Sequence, residues 1–221
     1  MDGFSSIARF FQEGGFFMYL ILLVTSVGIA IAVERFIYLR KADASSRKLW
    51  DAVAPLVQSN NIEQAITITN ESDAVMGNML AYGLARVKDR AEHRDEIETA
   101  MEEGLMEAIS KIEKRTHYLS TLANVAMLLG LLGTVAGLIE AFGAVAHAEP
   151  SEKAELLSAA IAVGMNATAF GLGSAIPLML LYSVLQSKTT SLVDHLEMAA
   201  VKFLNLLHTA NKGGNKSGKG V

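Results

Sequence analysis

Two long apolar stretches of this chain carry polar groups at helical spacing. LLGLLGTVAGLIEAFGAV holds Thr134 and Glu140, and GMNATAFGLGSAIP holds Asn166, Thr168 and Ser174 within the uncharged run Leu156–Leu185. A carboxylate can take up and release a proton, whereas a hydroxyl can only pass one along through hydrogen bonds or water. Apart from Glu140, neither stretch contains a carboxylate, an imidazole or an amine. If protons cross here, a partner must bring the titrating group. Other chemistries find little support. The chain has no cysteine, hence no disulfide, no thiolate metal site and no cysteine nucleophile. His93, His117, His147, His195 and His208 are scattered without ligand spacing, and no nucleophile stands beside a base. We therefore assign no catalytic residue, no metal and no cofactor, and expect no enzyme.

Composition says what must position these groups. Hydrophobic residues make up 51% of the 221 residues and charged residues 19%, with a mean hydropathy of +0.32, which points to a membrane protein. A net charge of −4 and basic residues without interleaved aromatics exclude nucleic acid as a partner. Three segments are long enough to cross a hydrocarbon core, which takes about 20 helical residues: 16–39, 118–146 and 156–187. The first is uncharged from Phe16 to Val33 before Glu34 and Arg35, which are expected at the interface with Tyr38 as an aromatic anchor. A cleaved signal peptide is the alternative for that segment, but it requires a basic leader where this chain has FFQEGG.

Basic residues set the orientation. Arg35, Arg40, Lys41, Arg47 and Lys48 follow the first span, Lys111, Lys114 and Arg115 precede the second, and Lys188 follows the third, while the loop AHAEPSEKAE carries one lysine among three glutamates. The positive-inside rule then places the N-terminus and that loop outside and the C-terminus in the cytoplasm. The expected organisation is an interfacial amphipathic helix at 1–15, the first span at 16–39, a cytoplasmic helical domain at 40–117 and the second span at 118–146. A periplasmic loop at 147–155, the third span at 156–187, a cytoplasmic C-terminal helix at 188–210 and a disordered Gly/Lys/Asn tail at 211–221 complete it. In the cytoplasmic domain NNIEQAITIT predicts a short helix with an Asn N-cap, and SDAVMGNMLAYGLARVKDR predicts another. No proline lies between Arg94 and Pro150, so the spacing predicts one unbroken helix of ~80 Å from the cytoplasm through the second span. The fold class is an all-α integral membrane protein whose long helices extend into a cytoplasmic helical domain. The tail sequence GGNKSGKG nearly matches a phosphate-binding loop, but no strand precedes it, the final Ser/Thr is missing and no helix follows.

The two later spans have small-residue faces. Gly130, Gly133 or Thr134, Gly137 and Ala141 form one stripe, and Glu140, seven residues after Gly133, falls near the same face. An intramembrane carboxylate is costly, so Glu140 either meets a wet interior or lies near the outer end of its helix, roughly 9 Å beyond Thr134. In the third span Ile161, Gly164, Thr168, Gly171 and Ala175 share a face, with Ala162, Asn166, Gly173 and Pro177 nearly opposite. Small residues let helix backbones approach closely, so both faces are expected to touch protein. The first would meet a central partner helix, and Asn166 would meet neighbouring subunits or helices. Pro177 frees the carbonyl of Gly173 and allows a kink. The plainer reading of each threonine is interhelical glue, and that of each glycine stripe is packing.

GLLGTVAGLIEAF and NATAFGLGSAIP resemble the signature segments of the MotA/TolQ/ExbB proton-channel family, nearest its TolQ and ExbB branch, and GGFFMYLILLVTSVGIAIAVERFIYL resembles that branch's opening helix. The resemblance implies a homopentamer surrounding two copies of a single-span partner like ExbD or TolR, each with an essential membrane aspartate. It also implies a third component like TonB or TolA that carries work to the envelope. The family's pore threonines match Thr134 and Thr168, and its proline matches Pro177. Its third-span glutamate is matched here by Val163, a departure that raises Glu140 as a substitute. The expected function is a proton-channel subunit of an inner-membrane motor that couples the proton gradient to mechanical work on the envelope. A membrane scaffold that binds a partner helix and conducts nothing is the alternative; a flagellar-type or gliding-motility stator is a third reading within the motor class.

Overall fold

In the computed structural model, residues 14–88 and 94–217 are described. The expected amphipathic helix at 1–15 lies almost wholly outside them. Among the described residues six helices follow in order: α1 Gly15–Gln58, α2 Ile62–Asn70, α3 Val75–Lys88, α4 Arg94–Glu113, α5 Thr116–His147 and α6 Lys153–Ser217. No strand occurs among the described residues. Gly15, at φ +72°, opens α1 in the left-handed region that only glycine adopts without strain. The chain divides into two compact units, one of residues 1–35 and 115–185, the other of residues 36–114 and 186–221.

The first unit holds the three helical segments long and apolar enough to cross a membrane. Its burial pattern inverts that of a soluble domain. Gly130, Gly133, Gly137, Ala123, Ala126, Ala141, Gly164, Ala167, Gly171 and Ala175 are buried, while Leu23, Val33, Leu128, Leu131, Ile139, Phe142, Met165 and Leu180 are exposed. Lipid is as apolar as leucine, so nothing drives the large side chains inward; the small ones are inside because they let helices approach. α1 joins this pair through Phe17, which lies against Gly133, and through Gly28, which lies against Leu178.

The second unit has an ordinary core. Leu49, Val53, Val57, Met79, Leu80, Leu84, Met101, Ile112, Leu196 and Phe203 are buried, and α3 packs on both α2 and α4. α1 ends in a Schellman turn: Asn60 is left-handed at φ 57°, its amide donates to the Val57 carbonyl at 3.1 Å, and the Asn61 amide donates to the Leu56 carbonyl at 2.8 Å. Asn61 then occupies the N-cap position of α2 as expected. Its side chain bonds Gln64 Oε1 at 2.7 Å rather than a backbone amide.

Two expectations are corrected. The helix predicted to run unbroken from Arg94 stops at Glu113, and Arg115 sits in the left-handed region at φ 70° before α5 begins. That conformation costs about 1–2 kcal/mol for a residue with a Cβ. The Arg115 guanidinium reaches Glu34 at 4.0 Å, and Glu34 also meets Arg35 Nε at 3.3 Å. With Arg115 half-exposed the pair contributes at most about 1 kcal/mol, and Leu119, fully buried just beyond the break, adds apolar burial. The second correction concerns the tail: α6 continues to Ser217, through much of the run expected to be disordered. Extending an established helix costs only the propensity of each added residue, and no proline follows Pro177 to stop it.

Gly104 tests the packing of the second unit. A Cβ there would lie 2.8 Å from Met79 Cα and 3.2 Å from the Asn78 carbonyl oxygen, both backbone atoms that cannot swing aside. Gly104→Ala is expected to cost about 1–3 kcal/mol, read as a lower thermal midpoint of the full chain in detergent by circular dichroism. Gly143→Ala, with no atom within 4 Å, should leave the midpoint unchanged, and equal midpoints for both variants would contradict this packing.

Candidate functional site

The two glycine stripes face each other. α5 presents Ala126, Gly130, Gly133 and Gly137, and α6 presents Ala160, Gly164, Ala167 and Gly171, with the same spacing of four, three and four. The helices pair antiparallel, so each step up one is met by a step down the other. A Cβ on Gly171 would lie 2.8 Å from the Ala126 carbonyl oxygen and 2.9 Å from Gly130 Cα. One on Gly130 would lie 3.0 Å from the Ala167 carbonyl oxygen, and one on Gly164 would lie 2.9 Å from Thr134 Cα. The backbones touch along the whole seam, and dispersion together with weak Cα–H contacts holds it. Gly164 and Gly171, on the face expected to turn toward a partner helix, lie against α5. That face is taken up by α5 of the same chain, because its spacing complements the α5 stripe.

Close approach brings Thr134 and Thr168 together. Thr134 Oγ1 donates to the Gly164 carbonyl at 3.0 Å, Thr168 Oγ1 donates to the Gly130 carbonyl at 2.8 Å, and the two hydroxyls contact each other. Each threonine thus bonds the backbone of the opposite helix. Thr134 Oγ1 also approaches the Gly130 carbonyl of its own helix at 3.5 Å, so two hydroxyl protons face four contacts and a rotation of either hydroxyl exchanges which of them carry a proton. Both threonines are half-buried, so one flank of the pair remains open to a further hydrogen-bonding group. The pair can hold water or a carboxylate and can relay a proton, but it cannot store one.

The remaining expected residues lie around this seam. Glu140 is exposed while Gly137 and Ala141 on either side of it are buried. Three residues along a helix turn a side chain 60° off the Gly137 direction, so Glu140 stands at the edge of the seam and not on it. Val163 lies against Gly15, its Cγ1 3.3 Å from where a Cβ would be. The opposite face of α6 is open: Ala162, Ala169, Gly173 and Pro177 are exposed and Asn166 is half-exposed. α6 passes through Pro177 without ending. Sequence reasoning missed Ala126, Ala160 and Ala167 as seam residues and Phe17 and Leu178 as the contacts of α1. The alanines could have been found by sliding one stripe along the other and seeing that their spacings coincide.

The profile of one family, described as the MotA/TolQ/ExbB proton channel family, matches residues 71–198, more than half of the chain and all of the threonine seam. The chain belongs to the MotA/TolQ/ExbB proton channel family. Among its relatives, a protein named as an ExbB homolog of Methanothermobacter thermautotrophicus is 29% identical over 197 residues, 88% of this chain and 68% of the relative. The Tol-Pal system protein TolQ of Haemophilus influenzae is 31% identical over 109 residues, 49% of this chain and 47% of that protein. The biopolymer transport protein ExbB of Pseudomonas putida is 24% identical over 182 residues, 75% of this chain and 53% of that protein. The matches thus span about half the length of the TolQ and ExbB relatives. These names agree with the TolQ and ExbB branch. The family is one of proton channels and transport components, not of enzymes.

Gly171 and Gly173 separate seam from surface within one turn. Gly171→Ala forces backbone against backbone and is expected to cost about 1–3 kcal/mol, whereas Gly173→Ala, with open space around it, should be neutral. Thermal stability of the detergent-solubilised chain, followed by fluorescence-detected gel filtration, checks the difference. A Gly171→Ala protein as stable as the parent would mean that the two helices do not pack at this distance.

Proposed function

We propose that this chain is the proton-channel subunit of an inner-membrane motor, with its N-terminus outside and its C-terminus in the cytoplasm. Five copies surround two single-span partner helices, each bearing an aspartate. The observation that carries this reading is the Thr134–Thr168 pair, a half-open hydroxyl site in a seam with no titratable side chain. A partner carboxylate drawing up to the open flank accepts a hydrogen bond from whichever hydroxyl is free to turn. Diverting that proton gives up one interhelical bond of about 0.6 kcal/mol, a small cost beside a hydrogen bond to a charged carboxylate, about 1.5–3 kcal/mol. The carboxylate is thereby held in its charged form at the threonines, takes a proton from the outer side, and as a neutral acid moves on to release it inside. Glu140, exposed toward the outer mouth, would gather protons there and offset the loss of a carboxylate at Val163. Asn166, Gly173 and Pro177 would meet neighbouring copies. A component like TonB or TolA would carry the work to the envelope.

A non-conducting scaffold is the second reading, and one observation favours it: packing between α5 and α6 of a single chain accounts for every glycine of the seam. Proton flux separates the two. Co-purified with its single-span partner and reconstituted into vesicles, the complex should dissipate a proton gradient. Thr168→Val, which keeps the shape and removes the hydroxyl, should lower the flux about ten-fold or more, and Thr168→Ser should restore it. An assembled complex that passes no protons would rule out the channel.

A further inference from the structure

Beyond the threonine seam, the second unit contains a cationic cavity that the channel reading does not use. Arg40 and Arg47 line it from α1, Lys188 and His195 line it from α6, and its volume is about 290 Å³. Asp43 is the single carboxylate on its wall. Its Oδ1 accepts from Arg47 Nε at 3.1 Å and lies 3.4 Å from His195 Nδ1. Arg40 and Lys188 are left without a carboxylate partner among the described residues. Both instead stand over the ring of Phe36, the guanidinium carbon 5.2 Å and the ammonium nitrogen 5.6 Å from its centroid. Both cations also line the same cavity, where their like charges repel, and an anion held there would relieve that repulsion with charge-assisted contacts.

The surroundings say which anion. Phe36 and Ile37 are 38% and 61% exposed, and they lie just past Glu34 and Arg35, which end the uncharged run Phe16–Val33 of the first span. Leu39 and Leu192 form the apolar part of the cavity wall and are buried, and Ser191 adds a hydroxyl. An amphiphile with a phosphate head and apolar chains matches cations in a concavity beside exposed apolar residues at the end of a span. The positive-inside rule alone asks for cations somewhere in this region. It does not ask for two helices to bring them to one cavity around a shared carboxylate. We propose that this cavity is a phosphate site for the headgroup of an anionic membrane phospholipid, with Arg40 and Lys188 as its direct ligands and Asp43 as the group that positions Arg47 and His195. It does not depend on whether the seam conducts protons.

The test uses the full chain in a neutral detergent, titrated separately with short-chain phosphatidylglycerol, phosphatidylcholine of the same chain length and inorganic phosphate. Retained lipid is read by native mass spectrometry, and the thermal midpoint is read in parallel. Phosphatidylglycerol should bind and raise the midpoint. The Arg40→Gln/Lys188→Gln double variant should weaken that binding about ten-fold or more, whereas Arg40→Lys with Lys188→Arg should keep most of it. Equal binding of the two lipids, or a double variant that binds like the parent, would overturn the site. Inorganic phosphate binding as tightly as phosphatidylglycerol would overturn the lipid as its source. Should the double variant fail to fold, the parent decides alone, since its affinity for phosphatidylglycerol must fall as salt is raised.

Discussion

The architecture of the first unit rests on backbone contact between α5 and α6. Apolar helices gain nothing from leaving lipid for one another, so their association must come from how closely they fit. Five glycines and three alanines keep the facing side chains too small to hold the axes apart, at Ala126, Gly130, Gly133 and Gly137 on one helix and at Ala160, Gly164, Ala167 and Gly171 on the other. Only at this separation can a threonine reach the carbonyl of the opposite helix. The hydrogen bonds of Thr134 and Thr168 are therefore a consequence of the glycines, and the two features form one device.

That device has a particular electrical character. Within the seam there are hydroxyls and carbonyls but no group that changes charge. A fixed carboxylate there would carry a desolvation cost of several kcal/mol at all times. A carboxylate on a separate helix carries that cost only while it stands at the site. Val163 brings no charge to this region, and its Cγ1 lies against Gly15 of α1.

The two units obey opposite packing rules because their solvents differ. In the first, small residues line the α5–α6 seam and many large apolar side chains face outward, although Ile21, Leu119, Leu178 and Leu185 are buried. In the second, Met79, Leu80, Leu84, Met101 and Phe203 close a water-excluding core in which Gly83 accommodates Met101. Helices α1 and α6 contribute residues to both units, so each changes its rule once along its length. The charges of Arg35, Arg40 and Lys188 mark where that change occurs in the sequence.

Much of this was legible in the amino-acid order. The three spans follow from hydropathy and length, α2 and α3 follow from their turn residues, and the small-residue stripes follow from a period of 3.6. Thr134 and Thr168 stand out because hydroxyls are rare in such surroundings. What the order leaves open is which stripe meets which, since a glycine face is equally suited to a partner helix or to the next helix of its own chain. The break at Arg115 was hidden for a related reason: Ala108, Ile112, Thr116, Leu119 and Ala123 are buried at continuous helical spacing across it, and no glycine or proline announces it. Glu140 falls off the seam by an angle that counting in sevens does not resolve. The convergence of Arg40 and Lys188 joins residues far apart in the chain. Local order fixes periodicity and therefore faces; only the folded chain decides which faces meet, because that choice rests on contacts between residues that the sequence keeps far apart.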